Sequence, residues 1–180
     1  MIKLVFAYFL YFISYSIIGW IYEVFLEVVV YGWGFSNRGV LFGPYCPVYG
    51  FGALAFLFFV YPLLKNKKMK EKLLMIPIIF FLCMFIATLI ELVTSYLLEA
   101  IIGSWPWQTY ADYKYNFEAR IALSPSIRFG LGGCAFLYLI QPLLEKLTTK
   151  LGNKKTKIIS IILFVLIITD LVFTIISKIG

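Results

Sequence analysis

The chain has 180 residues, of which 62% are hydrophobic and only 14% charged, with a mean hydropathy of +0.93. A soluble domain carries about 45–50% apolar and about 25% charged residues, and a chain this short cannot enclose such an apolar excess. The composition therefore excludes a soluble globular fold and leaves an all-α integral membrane protein of one domain.

The net charge of +7 is concentrated. Lys65, Lys67, Lys68, Lys70 and Lys72 form one cluster, and Lys146, Lys150, Lys154, Lys155 and Lys157 another. Both fill short gaps between apolar runs, so the positive-inside bias accounts for them better than nucleic acid does, with anionic lipid headgroups as further partners. There is no His, and Cys46, Cys83 and Cys134 show no paired spacing, so no metal and no cofactor is expected. The three thiols read as small packing residues. The first apolar run outlasts a signal-peptide core and lacks a small-residue cleavage site, so it reads as a retained helix.

The first apolar segment covers about residues 4–31 and contains Glu23 and Glu27. At roughly 1.5 Å per residue from Lys3, Glu23 lies about 30 Å up, near the far interface, with Glu27 one turn beyond on the same face. Residues 32–47 hold four Gly and two Pro around Asn37-Arg38-Gly39, a composition that cannot stay helical. This predicts a loop with a re-entrant course, since unpaired backbone at membrane depth needs protein or a wet cavity beside it. A second segment covers about 48–64 and ends at Pro62 and the first lysine cluster. The third covers about 73–102; Glu91 stands roughly 28 Å above Lys72, and Glu99 two turns further.

Residues 103–124 are the longest polar stretch, and Trp105, Trp107, Tyr110, Tyr113 and Tyr115 fit an interfacial aromatic belt. A fourth segment covers about 125–144 and a fifth about 158–177, the latter carrying Asp170. The expected topology is five spans, with the N-terminus cytoplasmic and both large loops and the C-terminus outside.

Two helix–loop–helix halves, about 1–64 and 73–144, look alike. Trp20-Ile21-Tyr22-Glu23 aligns with Thr88-Leu89-Ile90-Glu91, and Arg38-Gly39-Val40-Leu41 with Arg120-Ile121-Ala122-Leu123. Gly52-Ala53-Leu54-Ala55-Phe56 aligns with Gly132-Gly133-Cys134-Ala135-Phe136, and Pro62-Leu63-Leu64 with Pro142-Leu143-Leu144. Halves of two spans share an orientation, so this is a parallel repeat with a final helix appended. It would bring two outer Glu–Arg sets toward one axis.

Charges in a membrane are paired, wet or snorkelling. Arg38 with Glu23 or Glu27, and Arg120 with Glu91, can be structural clamps. They can equally form a pocket in which Arg forks hold phosphate or carboxylate and Glu binds cations, amines or hydroxyls. The candidate ligand-binding residues are Glu23, Glu27, Asn37, Arg38, Tyr49, Glu91, Asn116 and Arg120. Arg128 and Asp170 are a candidate intramembrane ion pair. No catalytic residue is assigned: a His-based triad is impossible and no phosphate-binding GxxxxGK[ST] loop occurs. An intramembrane enzyme using Glu23 or Glu91 as acid/base, and a scaffold with structural charges, stay open as alternatives.

Across Gly19–Pro142, the blocks GWIYE, NRGVLFGPYCPVYGFGA and WPWQTY…NFEARIALSPSIRFGLGG resemble the bacterial ABC-transporter type IV family, the CmpB-like permease membrane proteins. Similar proteins tend to read WDYS where this chain has Trp107-Gln108-Thr109-Tyr110. The resemblance implies a multi-span plasma-membrane permease component, with a separate ATPase or another membrane subunit as partner. It points to Glu23, Asn37, Arg38, Gly43, Pro44, Pro47, Tyr49 and Gly50, and to Glu91, Asn116 and Arg120.

Overall fold

The computed structural model describes residues 2–179. Four stretches of joined helix are long and apolar enough to cross a membrane: Leu4–Val30, Pro47–Leu64, Ile76–Ile102 and Leu123–Ser177. Only 11–33% of the most apolar window of each is buried, so most of their apolar surface faces outward, as lipid solvation requires. The chain divides into two compact units, Met1–Leu54 with Leu143–Gly180, and Ala55–Pro142.

Helix α1 (Ile2–Phe25) runs on through a π-helical turn, Leu26–Val30, and stops where Gly32 and Gly34 take φ of +66° and +83°. Helix α2 (Pro47–Ala55) opens on a proline, whose missing N–H is harmless in a first turn. A π turn, Phe56–Val60, joins it to α3 (Tyr61–Leu64). After the short α4 (Met69–Leu74), α5 (Ile76–Ile102) has Pro77 in its first turn and Gly103 (φ +77°) as its left-handed cap. A 3₁₀ turn, Gln108–Asp112, and the two-residue strands β1 (Asn116–Phe117) and β2 (Ile121–Ala122), paired antiparallel, lead into α6 (Leu123–Ala135). A further π turn, Phe136–Ile140, precedes α7 (Gln141–Ile179).

The turns Phe56–Val60 and Phe136–Ile140 each end two residues before a proline, Pro62 or Pro142. A proline ring clashes with the carbonyl four residues earlier, and widening the helix by one residue relieves that clash. The same local structure thus precedes both prolines.

Helix α7 is not one rod. Gly152 (φ 72°, ψ 167°) leaves the helical region, with lysines on both sides. In the first unit, Thr148 Oγ1 lies 3.1 Å from the Tyr11 hydroxyl, and Ser160 Oγ donates to the Phe6 carbonyl at 3.0 Å. Twelve helical residues would separate Thr148 from Ser160 by about 18 Å, whereas their partners on α1 are only about 7.5 Å apart along its axis. The two arms therefore turn back on each other beside α1.

Packing in each unit relies on absent side chains. A Cβ on Gly50 would strike Ser16 and Phe12, and one on Gly19 the Tyr49 ring. In the second unit, Gly130 faces Phe80 and Met84, and Gly133 faces Cys83 and Phe56. Thr88 Oγ1 donates to Ser126 Oγ at 2.8 Å across the same α5–α6 seam. Small residues let backbones approach closely, which in lipid substitutes for the missing hydrophobic drive. Gly52 and Gly132 have no atoms close to such a Cβ. Gly133→Leu is expected to lower the melting temperature in detergent, by a cost of about 1–3 kcal/mol for overpacking. Gly132→Leu should leave it nearly unchanged in the same assay.

Candidate functional site

In the first unit, Glu27 gathers the loop that follows α1. Its side chain is buried, and Oε1 pairs with Arg38 Nη2 at 2.6 Å and accepts from Ser36 Oγ at 2.7 Å. Oε2 accepts from the Ser36 amide at 3.2 Å, and the Glu27 carbonyl accepts from the Trp33 amide at 3.0 Å. The positive φ of Gly32 and Gly34 is what lets the backbone wrap this tightly around one carboxylate.

The loop then runs back along α1. Asn37 Oδ1 accepts from Trp20 Nε1 at 2.8 Å, and its Nδ2 donates to the carbonyls of Leu41 (3.1 Å) and Phe42 (2.9 Å). The Cys46 amide donates to the Ser16 carbonyl at 2.9 Å. Ser16 is eleven residues, about 16 Å, below Glu27 on the helix. The loop thus returns well down the flank of α1 before α2 starts. Glu23, on that flank, accepts from the Tyr49 hydroxyl.

Asp170, on the second arm of α7, secures the descending loop. Oδ1 accepts from the Phe42 amide at 3.0 Å and Thr174 Oγ1 at 3.2 Å; Oδ2 accepts from the Gly43 amide at 2.7 Å and from the Tyr45 hydroxyl. Burial and Asp170 raise the Tyr45 phenol above its ordinary value, so it remains a donor. Burial pushes the neighbouring Cys46 thiol up to about 12, with the charge of Glu23 adding and that of Arg38 opposing.

In the second unit, Arg120 is enclosed. Its Nη2 meets Glu99 Oε2 at 2.5 Å, Nη1 donates to Ser95 Oγ at 3.5 Å, and Nε lies 3.4 Å from Glu118 Oε2. The guanidinium is sandwiched between the rings of Tyr96 and Trp105, 4.0 and 4.1 Å from their centroids. Burial disfavours its charge, but the hydrogen bond to Glu99 and that carboxylate's charge outweigh this and hold Arg120 above its ordinary pKa. Tyr96 also donates to Glu118 at 2.8 Å, and Glu91 accepts from the Tyr110 hydroxyl at 2.8 Å.

The segment presenting Arg120 is a tight hairpin in which the Arg120 amide donates to the Phe117 carbonyl at 2.9 Å. Three residues, Glu118, Ala119 and Arg120, lie between the paired Phe117 and Ile121, and the first two take φ of +51° and +55°, in the left-handed region. Asn116 braces it, with Oδ1 accepting from the Ala119 amide at 3.1 Å and Nδ2 donating to the Tyr113 carbonyl at 2.7 Å. Trp105 and Trp107 donate to the carbonyls of Ala119 (3.1 Å) and Arg120 (2.8 Å).

The expected residues thus fall into two like constellations. In each unit one carboxylate holds the arginine (Glu27, Glu99) and another accepts from a tyrosine (Glu23, Glu91). The expected partner of Arg120 was Glu91; the carboxylates found on it are Glu99, two turns further along α5, and Glu118. Asn37 and Asn116 shape the loops. Arg128 donates to the Tyr113 hydroxyl at 2.8 Å within its own unit, and Asp170 finds its donors in the other. Ser36, Tyr45, Ser95, Tyr96 and Glu118 were not foreseen.

Four apolar helical stretches and buried polar clusters at the ends of α1 and α5 away from the lysines define a multi-pass membrane protein of the permease and transport class. The family described as "Putative ABC-transporter type IV" matches residues 10–175, nearly the whole chain, and the protein belongs to it. No curated protein and no solved structure matches it.

Two outcomes test this geometry. Asp170→Ala strips the acceptor from two loop amides, at roughly 1 kcal/mol or more in total. The loop should loosen, and Cys46, 4% exposed and protonated at neutral pH, should react with a maleimide several-fold faster than in the wild type. Ala119→Gly removes a left-handed alanine and should raise the melting temperature, by about 1 kcal/mol of stability.

Proposed function

We propose that the chain is a transport component of the bacterial plasma membrane that recognises an anionic group, on a small polar solute or a lipid headgroup, through Arg38. It crosses the membrane five times, α7 supplying two spans around Gly152, with the lysine clusters cytoplasmic and the C-terminus outside. Two helix–loop–helix repeats, residues 1–64 and 73–144, each carry one Glu–Arg constellation. A separate ATPase or another membrane subunit acts with it, as the family name suggests.

The supporting observation is the difference between the two arginines. The Arg120 side chain is 8% exposed, with carboxylates, a hydroxyl and two rings around it. Among the described residues Arg38 forms an ion pair with Glu27 alone, and its side chain is 31% exposed. A guanidinium held by one carboxylate keeps nitrogen donors for a phosphate or carboxylate, and its planar fork suits two-point binding. Arg120 is the structural member of the pair and Arg38 the receptive one; Glu27, Ser36 and Asn37 position it.

The test is a thermal-shift series on purified protein with inorganic phosphate, glycerol 3-phosphate and acetate. The wild type should be stabilised by at least one of these. Arg38→Ala should melt near the wild-type temperature yet lose that response, and Arg38→Lys should keep part of it. Arg120→Ala should melt markedly lower. An Arg38→Ala protein that responds like the wild type, or a wild type indifferent to all three probes, would overturn the reading.

A further inference from the structure

Two clefts lie in the second unit, beside Tyr115 where the hairpin meets the first turn of α6. The larger, about 220 Å³, is lined by Tyr113, Lys114, Tyr115, Leu123, Ser124 and Ile127. The other, about 210 Å³, shares Tyr115 and Leu123 and continues past Phe117 and Ile121.

From this arrangement we infer a second binding site, independent of Arg38, for one phospholipid with an anionic headgroup. Its phosphate would sit at Lys114 and Ser124, and its glycerol and upper acyl segment in the groove below.

Three observations support this occupant. The first is level. Leu123 is the first residue of an apolar membrane-crossing stretch, so the cleft stands where hydrocarbon gives way to headgroups. The second is the wall. Leu123, Ile127, Tyr115 and Phe117 are 40–63% exposed and open sideways along the outward face of α6, which a water-soluble ligand would not need. Aromatic rings at this level present an apolar body and a polar tip, as lipid necks do. The third is charge. Lys114 is exposed at the lip, with Nζ 5.3 Å from the centroid of the Tyr115 ring, and makes no ion pair among the described residues. Glu99 and Glu118 are turned toward Arg120 and Glu91 accepts from Tyr110, so these acids are committed elsewhere. The Tyr113 wall is braced by Arg128, which donates to its hydroxyl at 2.8 Å. An apolar groove with one lysine at its aqueous end fits a phosphatidylglycerol-like lipid better than a zwitterionic one, whose ammonium would meet Lys114.

Native mass spectrometry of the protein from nanodiscs of phosphatidylcholine doped with phosphatidylglycerol tests this. The wild type should retain one phosphatidylglycerol per chain preferentially. Lys114→Ala should lower that retention about fivefold, the scale expected for one lysine near an anionic headgroup, and Lys114→Arg should keep it. Ser124→Trp, which fills the cleft from an exposed position without changing charge, should also lower it. The Lys114-dependent share of the retention should persist in Arg38→Ala, which separates this site from the one above. Equal retention of phosphatidylcholine, displacement by inorganic phosphate, unchanged retention in Lys114→Ala, or a Ser124→Trp variant that retains as much as the wild type would each overturn the proposal.

Discussion

Backbone amides taken below the ends of membrane helices must find acceptors inside the protein, because lipid offers none. Most of this architecture follows from that constraint. The loop after α1 descends about 16 Å along it, and its Phe42 and Gly43 amides end on one carboxylate, Asp170. The Cys46 amide ends on the Ser16 carbonyl, and the Leu41 and Phe42 carbonyls take the Asn37 side-chain amide. An ionised side chain inside an apolar helix is costly by itself, yet here it gathers four donors and ties a non-helical segment to a helical one.

The same economy shapes both Glu–Arg constellations. Each puts an arginine on a loop and a carboxylate on a helix end, so that neither charge lacks a partner. They differ in completion. The second unit surrounds its arginine with two aromatic faces and carboxylates, which leaves little for a ligand to add. The first leaves its arginine at the edge. One constellation is thus closed and the other open, and the open one is where recognition is sought.

Much of this was legible beforehand. Long apolar runs bounded by lysine clusters set the helices, and Gly and Pro between residues 32 and 47 marked the loop. The π turns before Pro62 and Pro142 were not foreseen. Glu27 with Arg38 was among the pairings considered. Glu99 as the partner of Arg120 was less visible, because the choice among Glu91, Glu99 and Glu118 depends on how a left-handed turn at Glu118-Ala119 aims the arginine. Neither residue type advertises that conformation.

Composition and periodicity settled what is solvated by lipid and where helices must stop, since those depend on the transfer cost of each residue and on backbone chemistry alone. Which donor meets which acceptor was decided only by folding. Asp170 lies 127 residues from Gly43, and a hydrogen bond over that separation depends on α7 turning at Gly152 and running beside α1. Its carboxylate reads as an isolated charge along the chain and becomes an anchoring point only when three distant segments converge.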